Sequence, residues 1–360
     1  MIKTYTFKVK PNNSLFKELD EWLNITRCIY NLGKEVREDA WRKGVSLNYN
    51  DLSGQLTQLK KEFKWIYKVN SQSLQASLER LESGYKKFFS DIKNGVKTSK
   101  PKWAKKKKWN SIYFKDIKIK NGRYVLPSLG SIKVFKFKVP KGELKVAILK
   151  KEIDGWYLKV VVDKQSVQKS ENQGVVGIDM GLKYFLTTSE GEFVDNPKHL
   201  EKFLKKLRVE NRKLSRCRKG SKNFYKQVRV LQKLHLKISR VRLDFLQKES
   251  TKLSSKYSTI VIEDLDIKGM SKNSKLSHHI LDCAWGKFFE LLEYKSNVVR
   301  IKPEYTSQKC SNCGHTCEEN RKTQSHFECV KCDYIENADL NASFNILKLG
   351  QELLEANVDH

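Results

Sequence analysis

Four cysteines near the end of the chain constrain its fold more than any other feature. They form two CxxC pairs, Cys310/Cys313 and Cys329/Cys332, with fifteen residues between the pairs. Two residues between cysteines let one tight turn direct both sulfurs to the same point, and four thiolates at about 2.3 Å satisfy tetrahedral Zn²⁺. The spacing therefore predicts a small four-cysteine zinc ribbon, with two disulfides as the alternative. Three further residues lie in this stretch and are not needed as ligands: His315, Cys317 and His326.

The disulfide alternative requires an oxidising compartment, and the sequence gives no sign of export. Residues 1–13 alternate as a strand and lack the apolar core of a signal peptide. No run of eighteen apolar residues is present, and the other cysteines are scattered. We therefore expect a reduced, cytoplasmic protein without a membrane partner.

The charge of the chain limits its partners. Seventy-one Lys and Arg side chains oppose forty-one Asp and Glu, which gives a net charge of +30 over 360 residues. Residues 95–123 contribute +10 of this excess and residues 198–256 contribute +16. Because such an excess repels itself unless a polyanion neutralises it, the composition favours nucleic acid as a partner over a merely basic protein without one.

The spacing of apolar residues changes twice in the first half of the chain. Residues 2–10 alternate as a strand, and helical spacing follows over 14–95, including helices at about 50–62 and 70–91. The period then returns to two in candidate strands at 112–119, 131–138, 143–150 and 156–163. This pattern predicts a small antiparallel barrel that includes the first strand and is interrupted by the helices. Residues 164–173 are polar and predict a linker at a domain boundary.

Two short stretches are candidates for contact with nucleic acid. Amides can hydrogen-bond adenine edges, lysines can neutralise phosphates and tryptophans can stack on bases. Helix capping and a solvated polar face are the alternatives for the amides, and a solvated linker is the alternative for the Lys- and Trp-rich segment 97–111. The candidate residues are Asn70, Gln72, Gln75, Lys102, Trp103 and Trp109.

Three acids stand at positions that a polynucleotide-cleaving site would use. Asp179 and Glu263 each end a buried apolar strand, and Asp339 stands where an apolar helix begins. Carboxylates are seldom buried unless they are paired or bind metal, although an acid at a helix start is often only a cap. Such acids can converge on two Mg²⁺ ions that assist in-line phosphodiester hydrolysis. Asp264 and Asp266 are predicted to be loop or capping residues.

Two helical patterns accompany these acids. Residues 198–256 predict a basic helical hairpin with a turn near Lys219-Gly220-Ser221, placed along a phosphate backbone. Residues 278–295 predict one apolar helix, which is followed by a strand at 298–301.

The motifs around the acids resemble those of the TnpB family, which are transposon-associated RNA-guided DNA endonucleases. Residues 177–183 (GIDMGLK), followed by 196–198 (NPK), resemble the first RuvC motif, and residues 261–265 (VIEDL) resemble the second. Residues 306–314 (TSQKCSNCG), the second CxxC pair and 338–342 (ADLNA) resemble the zinc ribbon and the third motif. Residues 282–286 and 101–111 also fit, so that the resemblance extends over nearly the whole chain.

The resemblance implies an α/β fold, with an RNase H-like RuvC nuclease domain, an inserted zinc ribbon and an N-terminal wedge barrel interrupted by a helical recognition domain. The implied boundaries are 1–10 and 109–170 for the wedge, 11–108 for the recognition domain, 171–305 and 335–360 for the nuclease, and 306–334 for the ribbon, which would bind target nucleic acid. Asp179, Glu263 and Asp339 would be the catalytic, Mg²⁺-binding acids, and the Zn²⁺ would be structural.

The implied partners are a guide RNA from the transposon end and a double-stranded DNA target, bound by a monomer with one RNA in a bacterial or archaeal nucleoid. One RuvC site would cut both strands beside a short motif read by the wedge and recognition domains. Ala338 departs from the family, because many relatives carry a basic residue there. Nuclease-inactive RNA-guided repressors usually lack one or more of the acids, so the intact triad favours an active enzyme over a repressor. The large basic N-terminal half disfavours an RNA-independent transposase or resolvase.

Overall fold

The computed structural model describes residues 2–163, 174–272 and 276–356. The chain divides into two compact units, Met1–Val167 and Gln168–His360. The predicted linker at 164–173 lies outside the described residues. No helix among the described residues is both long enough and apolar enough to span a bilayer.

The N-terminal unit is built on two antiparallel sheets. The larger sheet has the strand order β1-β7-β6-β2, and the smaller has the order β3-β4-β5. All seven residues of β1 pair with β7, which confirms that the first strand joins this sheet. The strands are β1 (Ile2–Lys8), β2 (Ser111–Phe114), β3 (Lys118–Lys120), β4 (Arg123–Leu126), β5 (Gly130–Ile132), β6 (Glu143–Glu152) and β7 (Gly155–Asp163).

Three helices stand between β1 and β2, as the change of period predicts. They are α1 (Asn13–Arg42), α2 (Tyr49–Glu62) and α3 (Ser71–Lys93), with a 3₁₀ turn at Lys64–Lys68 between the last two. Asparagine side chains cap all three N-termini: Asn12, Asn48 and Asn70. The apolar stripe of each helix packs with the sheets into one continuous core, because helical spacing places those residues on one face.

The predicted strand at 131–138 is wrong in its extent. The structure has β5 over three residues and then only an isolated bridge between Val134 and Val9. Lys136 adopts a left-handed backbone with φ of 49°, which an extended strand cannot contain. The preceding stretch forms a hairpin instead, in which Asn121 and Gly122 have φ of 47° and 66°, as a type I′ turn requires.

The C-terminal unit is built on a five-stranded sheet of order β10-β9-β8-β11-β12. Strands β8, β11 and β12 run parallel, whereas β9 runs antiparallel to both of its neighbours, β8 and β10. A separate two-stranded sheet follows in the cysteine-rich segment. The strands are β8 (Val175–Asp179), β9 (Tyr184–Thr188), β10 (Phe193–Asp195), β11 (Thr259–Glu263), β12 (Asn297–Ile301), β13 (His326–Glu328) and β14 (Ile335–Asn337).

Helices cover this sheet and extend from it. The predicted basic hairpin is confirmed as α4 (His199–Ser215) and α5 (Lys222–Lys256), and it contains a small apolar core of its own. The remaining helices are α6 (Ile267–Met270), α7 (Ser277–Cys283), α8 (Trp285–Glu293) and α9 (Ala338–Ala356).

The predicted single helix at 278–295 is wrong, because the chain breaks at Ala284. This residue has φ of 54°, a left-handed conformation that ends α7 and starts α8. The buried Asp282 carboxylate accepts from Leu200 N at 2.7 Å and from Arg242 Nε at 3.1 Å, which ties the end of α7 to the hairpin. Trp285 is buried at the start of α8. These buried contacts favour the break over the intrinsic preference for a continuous helix.

The contact between β8 and α9 depends on Gly177. A Cβ atom at this position would lie 2.3 Å from Ser343 O and 2.5 Å from Leu347 N, and both are backbone atoms of α9. We expect Gly177→Ala to lower the free energy of unfolding by about 3 kcal/mol or more, since helix and strand would have to separate. Urea denaturation measures this, with Gly54→Ala in α2 as the control.

Gly54 is a matched control, because a Cβ there would meet nothing within 4 Å. Gly54→Ala should therefore raise stability by up to about 1 kcal/mol through its helix propensity. Equal small effects of the two substitutions would contradict the close approach of α9 to β8.

Candidate active site and zinc site

Two strand ends bring Asp179 and Glu263 side by side. Strand β8 is parallel to β11, and Ile178 is the partner of Ile262 in the register. The next residue of each strand is an acid, so the two acids extend from the same edge of the sheet, on neighbouring strands about 4.8 Å apart. Glu263 is buried and Asp179 is half-buried.

Helix α9 brings Asp339 to the same edge. A Cβ placed at Gly181, just beyond β8, would lie 4.0 Å from Asp339 Oδ2. The capping alternative for Asp339 does not hold, because Asn337 caps this helix. The Asn337 side chain accepts from Asp339 N at 2.9 Å and from Leu340 N at 3.3 Å. The buried Asp339 carboxylate is therefore available for another role.

Burial raises the pKa values of all three acids, and the charges of the other two raise that of Asp179 further. The pKa of Asp179 rises from an ordinary 3.8 to about 8, first because of burial and then because of the charges of Glu263 and Asp339. Burial also raises the pKa values of Glu263 and Asp339. Three carboxylates in one buried place are a hard-oxygen donor set with excess negative charge, and a divalent cation would compensate that excess.

Arg321 is a member of this site that the sequence analysis did not identify. Its Nη2 lies 3.6 Å from Asp339 Oδ1, and its positive charge lowers the pKa values of all three acids. Arg321 belongs to the cysteine-rich segment and is one of many basic residues in this chain. Neither its spacing nor its neighbours distinguish it in the sequence, so that only the folded ribbon reveals its position.

Buried hydrogen bonds fasten the start of the ribbon to the acids. Thr306 Oγ1 donates to Glu263 Oε1 at 2.5 Å. Asn341 on α9 accepts from Ser311 N at 2.9 Å, and Asn345 Nδ2 donates to Thr306 O at 2.9 Å. Both asparagines are buried, so each bond is shielded from water. These contacts hold the Glu263 carboxylate and the Asp339 helix to one loop at the start of the ribbon.

The four cysteines meet as the spacing predicts. Their sulfurs all lie within 4.8 Å of one another, with Cys310 Sγ 3.8 Å from Cys332 Sγ and Cys313 Sγ 3.6 Å from Cys329 Sγ. Tetrahedral ligands at about 2.3 Å from Zn²⁺ are separated by roughly 3.8 Å, whereas a disulfide requires about 2.0 Å. The cluster therefore fits Zn²⁺ and not disulfides. Asp179, Glu263 and Asp339 are less tightly grouped, because one oxygen from each does not bring all three within 4.8 Å of one another.

The structure assigns local roles to the amides proposed to read bases. Asn70 accepts from Gln72 N at 2.9 Å as the cap of α3. Gln72 Nε2 donates to Asp116 Oδ2 at 2.5 Å, and Gln75 is half-buried. Capping, the alternative for these amides, thus applies to Asn70. Contact of Gln72 and Gln75 with nucleic acid stays a prediction.

The two tryptophans of the basic segment differ in environment. Trp109 is 7% exposed, its Nε1 donates to Thr26 Oγ1 at 2.9 Å, and the Arg80 guanidinium lies over its ring at 4.5 Å. Trp109 is therefore a core residue in this structure. Trp103 is 48% exposed beside Lys102, and contact of these two with nucleic acid stays a prediction.

The elevated pKa of Asp179 predicts a pH dependence of stability. Without divalent ions at the acids, the folded chain retains a proton on Asp179 up to about pH 8, whereas the unfolded chain loses it near its ordinary value of 3.8. The free energy of unfolding should therefore fall as pH rises through this interval and level off above it. Asp179→Asn should raise the Tm, and by more at about pH 8 than at about pH 5. A difference in Tm that does not change with pH would contradict this account.

Two family models match successive parts of this chain. A family model described as "Probable transposase", of the IS605 OrfB type, matches residues 158–274. A second, described as "Cas12f1-like, TNB domain", matches residues 285–346. Together they include all three acids and all four cysteines. A solved Cas12f1–sgRNA–target DNA complex is matched over 96% of this chain and 99% of that chain at 19% identity, but its TM-score of 0.35 is too low to bear on the fold.

Two curated relatives match this chain along almost its whole length. InsQ of Escherichia coli (strain K12), named as an RNA-guided DNA endonuclease, is 30% identical over 380 residues, which cover 98% of this chain and 93% of that protein. A protein of Streptomyces pristinaespiralis with the same designation is 29% identical over 362 residues, covering 97% of this chain and 89% of that protein. Similarity at this level and extent confirms the resemblance seen in the motifs, and the chain belongs to the TnpB family of transposon-associated RNA-guided DNA endonucleases.

Proposed function

We propose that this chain is an RNA-guided, Mg²⁺-dependent endonuclease that cleaves double-stranded DNA beside a short adjacent motif through a single RuvC-type site. The observation that supports this most is that Asp179 and Glu263, at the ends of parallel strands, meet Asp339 of α9 in one largely buried, negatively charged cluster. A scaffold that only bound nucleic acid would gain nothing from three mutually repelling acids. Their arrangement costs stability unless cations compensate it.

Asp179, Glu263 and Asp339 would hold divalent ions, which when bound activate the attacking water and neutralise charge on the phosphodiester. Thr306 fixes Glu263 by donating to its Oε1, which leaves Oε2 for ligation. The cap formed by Asn337 fixes the first turn of α9, and with it the Asp339 carboxylate. The residues of the site are therefore held in place before any substrate arrives.

Arg321 would bind a phosphate oxygen next to the acids. Its guanidinium is partly exposed, is always charged and already lies at the edge of the acidic cluster. A fork of N–H donors in that position suits a phosphodiester, whose negative charge the acids would otherwise repel. Because Arg321 belongs to the ribbon, the ribbon would contribute to the site as well as to binding of target nucleic acid.

The nucleic-acid partners are proposed to be one guide RNA per monomer and the DNA that it pairs with. The charge of +30 supports a bulky polyanionic partner, and the α4–α5 hairpin presents an exposed basic surface. We assign the N-terminal sheets to a wedge domain and helices α1–α3 to a recognition domain. These would read the adjacent motif while base pairing reads the remaining sequence.

A guide-exchange experiment tests this function. Protein is purified from cells that co-express the transposon-end RNA with either of two guide segments, and each complex is incubated with Mg²⁺ and a plasmid that carries both targets. The cut is expected to move with the guide. Guide-directed binding without a cut would point to a repressor. A cut whose position does not change with the guide would point to an RNA-independent nuclease.

A further inference from the structure

A short segment between α2 and α3 displays aromatic rings among lysines. Residues 60–68 read KKEFKWIYK, with four lysines and one acid around three aromatic residues. Large apolar side chains normally lie inside a folded unit. Here Phe63 is 45% exposed, Trp65 is 41% exposed and Tyr67 is 61% exposed. Exposed rings clustered in this way indicate a contact surface.

The local backbone conformation explains why these aromatic side chains are exposed. Residues 64–68 form a 3₁₀ turn, in which side chains three positions apart lie on the same side. Ile66 and Val69 occupy one side and are 1% and 2% exposed, so they anchor the turn in the core. Trp65 and Tyr67 fall on the two remaining sides and face outward. The rings of Phe63 and Trp65 have centroids 6.3 Å apart, which makes them one continuous aromatic surface.

The lysines around the rings indicate which class of partner this surface would bind. Lys61 and Lys64 are exposed beside them, and Lys60 Nζ lies 5.7 Å from the Tyr67 ring centroid. Lys68 pairs with Glu21 at 2.5 Å on the exposed surface. Rings with interleaved ammonium groups match the bases and phosphates of a single strand, because every base offers a π-face. An apolar protein partner would gain nothing from this density of positive charge.

We propose that Phe63, Trp65 and Tyr67 form a stacking platform for unpaired nucleotides, with Lys61 and Lys64 binding the adjoining phosphates. The inference deepens the proposed function and rests on nucleic acid as the partner, but it does not depend on cleavage. The unpaired nucleotides could come from the guide RNA or from the opened DNA target, and both offer the same bases and phosphates. The platform lies outside the segment 97–111, the stretch where the sequence alone places aromatic stacking.

Binding of short oligo(U) and oligo(dT) to the full chain tests the platform, over a series of salt concentrations. Trp65→Ala combined with Tyr67→Ala should weaken binding about tenfold or more, since stacking is the main contribution that these rings make. It should leave the dependence of log K on log [salt] unchanged. Lys61→Gln combined with Lys64→Gln should instead reduce that slope, by roughly 0.7 for each phosphate that a lysine no longer neutralises. An equally charged duplex should respond much less to the aromatic substitutions.

Trp41→Ala is the matched control, because Trp41 is also exposed in the helical region but lies outside the platform. The substituted side chains are all exposed and the anchors Ile66 and Val69 are kept, so the Tm should not change. Photo-crosslinking of 5-bromouridine and 5-bromodeoxyuridine oligonucleotides, followed by peptide mapping, should identify residues 60–69. A stronger crosslink with one sugar type identifies RNA or DNA as the source.

Two results would overturn the proposal. One is an aromatic double variant that binds both oligonucleotides as tightly as the wild type. The other is a Trp41→Ala variant whose affinity falls as far as that of the double variant, which would mean that aromatic exposure anywhere has the same effect. Failure of plasmid cleavage alone would count against the proposed function but not against the platform, since crosslinking needs no cut.

Discussion

Asp179→Ala is expected to abolish guide-directed DNA cleavage while guide-directed DNA binding remains. The charges of both other acids raise the pKa of Asp179, so its carboxylate interacts with each of them. Removal of one preorganised hydrogen-bond donor typically lowers the rate of an enzyme about 10²–10³-fold. Loss of a carboxylate that would bind the divalent ions should lower the cleavage rate about 10³-fold or more. Plasmid linearisation at saturating Mg²⁺ measures the rate, and a gel-shift assay with the same guide measures binding.

Asp264→Ala provides the matched control. Asp264 directly follows Glu263, but it is exposed and pairs with Arg300 Nη1 at 3.0 Å. Such a surface pair contributes at most about 1 kcal/mol, so cleavage should stay near the wild-type rate. If Asp264→Ala abolished cleavage and Asp179→Ala did not, the assignment of the acids to the site would be wrong.

Cys329→Ser is expected to release zinc, unfold the ribbon and abolish cleavage. Structural Zn²⁺ contributes about 10–16 kcal/mol to folding of small zinc domains, and the ribbon has only a few apolar residues to hold it together otherwise. Loss of the ribbon would also displace Arg321 and Thr306, which contact Asp339 and Glu263. Zinc content by mass spectrometry and limited proteolysis within residues 306–337 report the loss independently of activity.

Cys317→Ser is the control for this substitution, because Cys317 lies in the ribbon but outside the four-sulfur cluster. It should keep one zinc per chain, resistance to protease and cleavage. A Cys329→Ser protein that retained zinc and full activity would contradict the four-cysteine site. A protein that lost zinc yet cleaved normally would contradict the dependence of the acids on the ribbon.

The positions of the residues in the candidate site are predictable in part from short-range patterns. A CxxC turn directs both of its sulfurs to the same point. An apolar strand that ends in an acid predicts that the acid lies at the edge of the sheet. The approach of Asp179 to Glu263 follows once their strands are parallel neighbours, whereas Asp339 reaches the same edge because α9 packs closely on β8. The N-terminal strand and inserted helices were also predictable, because a change from period two to helical spacing marks such an insertion.

Features that depend on long-range contacts were not predictable. The break at Ala284 follows from the burial of Asp282 against Arg242, which is forty residues away. The core position of Trp109 depends on Thr26, and the position of Arg321 depends on the folded ribbon. In each case a local pattern is compatible with several structures, and a distant partner decides among them. Closure of the N-terminal sheets into a barrel stays a prediction.

Asp179, Glu263 and Asp339 are proposed to hold together the divalent ions that serve DNA cleavage. Anomalous scattering from crystals of the complex with guide RNA, target DNA and Mn²⁺ locates those ions. We predict anomalous peaks among the three carboxylates and next to the phosphate at the cut, and loss of those peaks in Asp179→Ala. Manganese bound elsewhere in a complex that still cleaves, with these three acids free of metal, would contradict the claim.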